Sequence, residues 1–268
     1  MKDIFFLSGL PRSGNTLLSA ILNQNPKIYV SPLSPLLDNL LWIDKALNTN
    51  ESTLSVDFQP HTASALKQFV NGFYLDIDKP IIIDRNKGWG GKEPMFTAYK
   101  YITNKPKIIF TVRDLPSVLA SFLTLIGESQ ENFIDNGLRG FGMKPYGKQT
   151  QNDLRCDYLM NGQVGASLVT LTELLQIGTP VCLIEYDDLV YDPQRELNKI
   201  YDFLKIEQYF HNFDNVVKLE NETLERVNLP INLHDVRSKV EKKALDPKLV
   251  LPLHSQNKYS GLEFWRDR

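Results

Sequence analysis

The sequence predicts a three-layer α/β/α fold around a central parallel sheet, and three observations carry that expectation. Short apolar runs recur along the chain, each followed by a segment with helical periodicity. A glycine-bearing loop follows the first of these runs directly. With 268 residues, 42% of them hydrophobic, the chain can bury a full core, and one domain over residues 1–268 is the simplest count.

The first run is Ile4-Phe5-Phe6-Leu7, and Leu17, Leu18, Ile21 and Leu22 after it share one helical face. The segment from about Pro35 to Asp78 reads as a mainly helical insertion. Ile81-Ile82-Ile83 is a second run, ending in Asp84. Ile108-Ile109-Phe110-Thr111-Val112 is a third, followed by Val118, Leu119, Phe122 and Leu123 at helical spacing. Asp153 to Ile177 reads as helical. Val181-Cys182-Leu183-Ile184 is the fourth run and precedes Leu197, Ile200, Tyr201 and Leu204, one helical face again. Continuous apolar runs suit strands covered on both faces, as in a parallel sheet between helix layers. The glycine-rich stretch from Gly127 to Gln151 has few aliphatic residues and is the expected mobile loop.

Composition narrows the function classes. Thirty basic against thirty-two acidic residues give a net charge of −2, which does not support a nucleic-acid surface or an acidic tail. Cys182 lies in an apolar run and reads as a buried free thiol. The histidines at 61, 211, 234 and 254 are too far apart for a local metal motif, so no metal is expected. No apolar stretch is long enough to span a membrane, and the amino terminus leads straight into a core strand. A soluble, cytoplasmic protein is the expectation.

The stretch Phe5 to Leu18, FFLSGLPRSGNTLL, nearly matches the phosphate-loop pattern G-x-x-x-x-G-K-[ST]. Gly9, Gly14 and Thr16 stand in their places, but Asn15 replaces the lysine and Arg12 supplies a cation within the loop. In a strand-loop-helix setting the backbone N–H groups from Pro11 to Thr16 can cradle an anion, with Ser13 and Thr16 adding hydroxyl donors. The missing lysine serves a triphosphate poorly and suits a shorter anion, one 5′ phosphate joined to a small anionic group. The fold is therefore expected to be P-loop-like.

A second constellation, VRDLPSVLASF from Val112 to Phe122, follows the third run. Together with GLPRSGNTLL it resembles the sulfotransferases that use 3′-phosphoadenosine 5′-phosphosulfate, in which a loop of this type binds the 5′-phosphosulfate. An Arg ending a later strand and a Ser eight residues on bind the 3′-phosphate there, and Arg113 and Ser121 match both types and their spacing. Eight helical residues rise roughly 12 Å, so the chain must fold Arg113 back for the two to share a phosphate. The resemblance extends to Cys182–Ile206, including Tyr186-Asp187-Asp188-Leu189, and to Ile81–Trp89, with Arg85 and Lys87 as basic residues after a strand. The tail from Leu233 to Pro247 is similar to a segment that closes over the 3′-phosphate, which implies Ser238 with one of Lys239, Lys242 or Lys243.

The first motif is most similar to tyrosylprotein sulfotransferases and their bacterial relatives, yet the carboxylate their base would need falls at Leu33. Nor is there a histidine at Asn86, where sulfotransferases of phenols and steroids carry one. The resemblance implies in-line displacement at sulfur, with Arg12 at the leaving oxygen and Arg85 or Lys87 over the sulfuryl group. The donor nucleotide is one partner; the acceptor is an unidentified small molecule, sugar or peptide offering a hydroxyl, less readily an amine. Asp38, Asp84 and Glu93 are the carboxylates that could serve as base. Trp42, Trp89, Phe96, Phe133, Phe141 and Tyr146 lie on segments expected to grip the acceptor, with the loop around Gly137, Gly140, Gly142 and Gly147 closing over it. The alternative is a P-loop small-molecule kinase using ATP and magnesium.

Overall fold

Strand β1 (Asp3–Gly9) lies at the centre of a five-stranded, all-parallel sheet. It pairs on one side with β3 (Ile81–Arg85) and on the other with β4 (Ile108–Val112). Outside these run β2 (Ile28–Leu33) and β5 (Val181–Glu185), giving the order β2-β3-β1-β4-β5. The computed structural model describes residues 2–55, 59–127, 131–217, 235–242 and 245–267.

Successive strand residues point to opposite faces, and both faces are covered. Phe6, Ile108 and Phe110 pack with α5 (Lys92–Tyr101), α6 (Leu115–Ile126), α8 (Gln151–Asn161) and α9 (Gln163–Ile177). Leu7, Ile83 and Ile109 pack on the other side with α1 (Asn15–Leu22) and α11 (Pro193–Leu204). A third cluster joins Ile82 to α2 (Leu36–Thr49) and α4 (Gln59–Phe73), which with short α3 (Glu51–Leu54) make up the helical insertion. The three-layer expectation is met.

Strand β2 is absent from the sequence-based expectation. It pairs along one side only, with β3, and its register shifts between Val30 and Leu33. An edge position tolerates Pro32, because no second neighbour asks for its N–H. Strand β5 is the opposite edge, which corrects the reading of Cys182: the thiol is half-buried rather than sealed in the core, and burial pushes its pKa up to about 11.

The glycine-rich stretch is also corrected. Helix α7 (Phe133–Gly140) lies within it, started by the Asn132 side chain, which accepts from the N–H groups of Ile134 and Asp135. A buried ion pair between Asp135 and Arg155 clamps α7 to α8. A Cβ on Gly137 would meet the Tyr158 hydroxyl at 2.1 Å, so this glycine is a close-packing position and not a hinge.

The registers Leu7 to Arg85, Gly9 to Thr111 and Val112 to Glu185 align the carboxyl ends of the strands. Whatever follows each strand therefore converges at one edge, beside the central strand where the chain direction across the sheet reverses.

Candidate active site

The loop after β1 is shaped by contacts that allow no side chain at Gly9. A Cβ there would lie 2.1 Å from Thr111 Oγ1 and 2.6 Å from its carbonyl oxygen. Gly14, at φ 90°, starts α1 and packs so close to Tyr186 that a Cβ would sit 2.9 Å from the ring. Arg12 also adopts a left-handed backbone, at φ 61°, a conformation that costs a residue with a Cβ about 1–2 kcal/mol. The Ser13 hydroxyl is corrected from ligand donor to fastener. It is fully buried, donating to Leu10 O at 2.5 Å and lying 2.6 Å from Thr111 Oγ1. Asn15, in the place of the absent lysine, ties its amide to Leu10 O at 3.1 Å.

Three elements bring cations to this loop. Arg113 follows β4, and its Nη1 donates to Arg12 O at 3.2 Å, so the chain folds back as the motif spacing requires. Arg12 Nε donates to Ser121 Oγ on α6 at 3.1 Å. The Arg113 guanidinium lies 4.2 Å above the Tyr186 ring, and among the described residues its buried Nε has no hydrogen-bond partner. Burial, and then the charge of Arg113, hold the Arg12 pKa below its ordinary value. Two guanidinium groups this close repel each other, and an anion placed between them relieves both charges. Asp114, next to Arg113, caps α6 by accepting from Ser117 N at 2.8 Å.

Strand β3 supplies the opposite wall. Arg85 and Asn86 are buried, Lys87 is exposed, and all three line one cavity of about 460 Å³ with the loop, Arg113, Ser121 and Tyr186. Asp84 faces the other way. It is fully buried and accepts from Trp89 Nε1 at 2.5 Å and from the Tyr74 hydroxyl. Burial pushes its pKa up despite these hydrogen bonds. Asp84 therefore neither faces the cavity nor holds Arg85. Glu93 is exposed on α5 and outside the cavity lining. Asp38 is exposed in the first turn of α2, and its Oδ2 accepts from Asn86 Nδ2 at 2.9 Å.

The segment 235–242 supplies a further wall of the cavity. Its backbone pairs with the 213–216 segment through Val216 N to Ser238 O and Val240 N to Phe213 O. Asp235, Val236, Arg237, Lys239 and Glu241 line the cavity, and Val236 and Val240 also pack against the core beneath. Ser238 lies outside the lining, which corrects its placement. Lys242 is also outside it and pairs with Asp187 at 3.4 Å. Lys243 lies outside the described residues.

Of the residues singled out in the sequence, Pro11, Arg12, Gly14, Asn15, Thr16, Arg85, Lys87, Arg113, Ser121 and Tyr186 line this one cavity. Trp89 does not: it is fully buried against Phe6, with ring centroids 4.3 Å apart, and belongs to the core. Trp42, Phe96, Phe141 and Tyr146 are exposed and outside the lining, whereas Phe133 is part of it. Ser8, Arg237, Gln163 and Ser167 line the cavity without having been anticipated. Gln163 and Ser167 lie four apart on α9, a one-face spacing that could have marked them as a pair.

A profile described as the sulfotransferase family matches residues 4–211. Among solved structures, the sulfotransferase domain from the curacin biosynthetic pathway superposes with a TM-score of 0.51 at 18% identity, over 97% of this chain and 98% of that one. The sulfotransferase domain from the Synechococcus PCC 7002 olefin synthase gives 0.50 at 19% identity, over 93% and 86%. At these identities the superpositions establish the shared fold.

Proposed function

Since the chain belongs to the sulfotransferase family, we propose that it transfers a sulfuryl group from 3′-phosphoadenosine 5′-phosphosulfate to an acceptor hydroxyl. The observation that carries this reading is the meeting of Arg12, Arg113 and Ser121 across one hydrogen-bonded cluster, beside a buried Arg113 Nε that has no partner among the described residues. That arrangement suits a ligand with two separate anionic groups on one nucleoside. Arg113 and Ser121 take the 3′-phosphate, and the loop from Pro11 to Thr16 takes the 5′ end. Tyr186 holds the Arg113 guanidinium in place by stacking.

The acceptor oxygen attacks sulfur as the bond from sulfur to the bridging oxygen breaks, leaving 3′-phosphoadenosine 5′-phosphate. Charge grows on the bridging oxygen, where Arg12 stabilises it, and on the sulfuryl oxygens, toward which Arg85 and Lys87 project from β3. Half-burial of Arg12 and burial of Arg85 make these two charges count for more than in water.

Calorimetric titration with 3′-phosphoadenosine 5′-phosphate against ATP with magnesium tests the assignment. The first is expected to bind at least tenfold more tightly than adenosine 5′-phosphate, since loss of the 3′-phosphate forfeits about 1.4 kcal/mol or more of charge-assisted hydrogen bonding. Tight binding of ATP with magnesium instead would favour a kinase. Equal affinity with and without the 3′-phosphate would remove Arg113 and Ser121 from the site.

A further inference from the structure

We propose that the wall formed by α6, α7 and α9 is the acceptor subsite. It selects an acceptor whose body beside the reacting hydroxyl is apolar and uncharged, oriented by Gln163. This rests on the sulfotransferase reading above. Beyond Ser121, these helices line the cavity with Phe122, Thr124, Leu125, Phe133, Gln163 and Ser167, which the donor reading leaves unused. Helix α9 places the wall. Gln163, Ser167, Thr170 and Leu174 recur at helical spacing and share one face. The first two line the cavity and the last two pack on the loop after β3. A Cβ on Gly90 would lie 3.1 Å from Thr170 Cγ2 and 3.4 Å from Leu174 Cδ2. Lys92 N donates to Glu173 Oε2 at 2.8 Å and fixes α9 there. The wall therefore adjoins the end of β3 that carries Arg85 and Lys87, where the reading above puts the sulfuryl group.

The nucleoside has the other side of the cavity. Phe122 and Phe133 pack with the core on the α6–α9 face of the sheet, whereas Leu17 and Val236 pack with the core on the α1–α11 face. The loop assigned to the 5′ end opens α1, so the base has Leu17 and Val236 to rest on. The chemistry of the two sides differs as well. Arg237, Lys239, Asp235 and Glu241 stand on the nucleoside side, but none of the described residues lining the α6–α9 side is ionisable. Phe122 and Phe133 meet there edge to face, with centroids 6.4 Å apart. The hydroxyls of Thr124 and Ser167 donate within their own helices, to Ala120 O at 2.8 Å and Gln163 O at 3.0 Å. The half-buried Gln163 amide makes no such bond among the described residues, and it can both donate and accept. Apolar surface with one neutral polar group suits a ligand of the same character. A charged acceptor body would give up its hydration and find no counter-charge on this wall.

Three phenols test this with the full chain: para-cresol, para-hydroxyphenylacetamide and para-hydroxyphenylacetate, the last two nearly identical in shape. Transfer of the radiolabelled group from 3′-phosphoadenosine 5′-phosphosulfate gives kcat/KM for each, and calorimetry gives the affinity for 3′-phosphoadenosine 5′-phosphate. Both neutral phenols are expected to exceed the carboxylate by roughly tenfold or more, because its charge goes unpaired. Thr124→Lys sets a cation on the wall from an exposed position and should cut that ratio roughly tenfold. Gln163→Leu should lower the amide relative to para-cresol by roughly threefold to tenfold, the worth of one neutral hydrogen bond. Neither variant should weaken the nucleotide. A carboxylate transferred as well as its amide overturns the proposal, and so does transfer to neither neutral phenol while the nucleotide binds. Unchanged ratios in both variants overturn it too. Weakened nucleotide binding in either variant would give the wall to the nucleoside and overturn it as well. Absence of nucleotide binding in wild type would instead sink the sulfotransferase reading itself, and the proposal with it.

Discussion

Ser121→Ala is expected to weaken a nucleotide that lacks the phosphate Ser121 contacts. The Ser121 hydroxyl accepts from Arg12 Nε at 3.1 Å, and Arg12 belongs to the loop proposed to take the 5′ end. A hydrogen bond from a charged donor contributes about 1.5–3 kcal/mol, and the half-buried position of Arg12 places this one at the low end. Since about 1.4 kcal/mol is tenfold, removing the hydroxyl should weaken adenosine 5′-phosphate by roughly tenfold through a misplaced Arg12. Arg12→Ala should weaken the same ligand at least as much. The double variant should be no worse than Arg12→Ala, because the serine acts here through the arginine. With 3′-phosphoadenosine 5′-phosphate, Ser121→Ala should lose more than with adenosine 5′-phosphate, since the direct contact goes as well. Isothermal titration of both nucleotides against the four proteins at fixed ionic strength measures every leg. Unaltered affinity of Ser121→Ala for adenosine 5′-phosphate would refute the coupling, as would full additivity in the double variant.

Two further predictions concern stability. His211 is buried, with Nε2 2.8 Å from the Tyr201 hydroxyl, and burial holds its pKa down to about 4 from 6.5. Between these values the unfolded chain binds a proton that the folded chain refuses, so stability should fall by on the order of 3 kcal/mol as pH drops through that window. Urea denaturation of wild type and His211→Gln across the window should show a flatter slope in the variant, and equal slopes would contradict the assignment. Gly14→Ala places a Cβ at φ 90° and 2.9 Å from the Tyr186 ring, so it should lower stability by about 1–2 kcal/mol. It should also weaken 3′-phosphoadenosine 5′-phosphate, because Tyr186 supports Arg113; wild-type Tm and affinity together would show that the loop tolerates the side chain.

The four apolar runs visible in the sequence became β1, β3, β4 and β5; β3 and β4 are buried throughout and so dispense with alternation, whereas the edge strand β5 is mostly half-buried. Strand β2 was not legible. Its apolar run is only Ile28-Tyr29-Val30 before Ser31-Pro32, and it is a strand because β3 offers a free edge, a fact of topology rather than of local preference. Helix α7 was hidden for the opposite reason. Gly137 and Gly140 disfavour a helix by about 1 kcal/mol each, and the Asn132 cap with the Asp135–Arg155 clamp offsets them. One half of that clamp lies on another helix, twenty residues away, where no local window finds it.

The site divides along the same line. Loop and cation positions were legible because they follow directly from strand ends, and the register of parallel strands carries such positions to a common edge. Which way each candidate carboxylate faces was not, and for Asp84 strand parity explains why. On β3, Ile81 and Ile83 pack with α1 and α11, whereas Ile82 packs with α2 and α4. Asp84 has the parity of Ile82, so it is driven into the insertion's core, where Tyr74 and Trp89 must satisfy it. Arg85 has the parity of Ile83 and opens to the cavity. A carboxylate next to a functional arginine in sequence is thus turned from it by a half-period of the strand. Asp38, 48 residues from Asn86, meets it because Ser34 N bonds Arg85 O at 2.7 Å and docks the start of α2 against the end of β3. Ser34 directly follows β2, so the one strand the sequence concealed is the element that sets the helical insertion against the wall carrying Arg85.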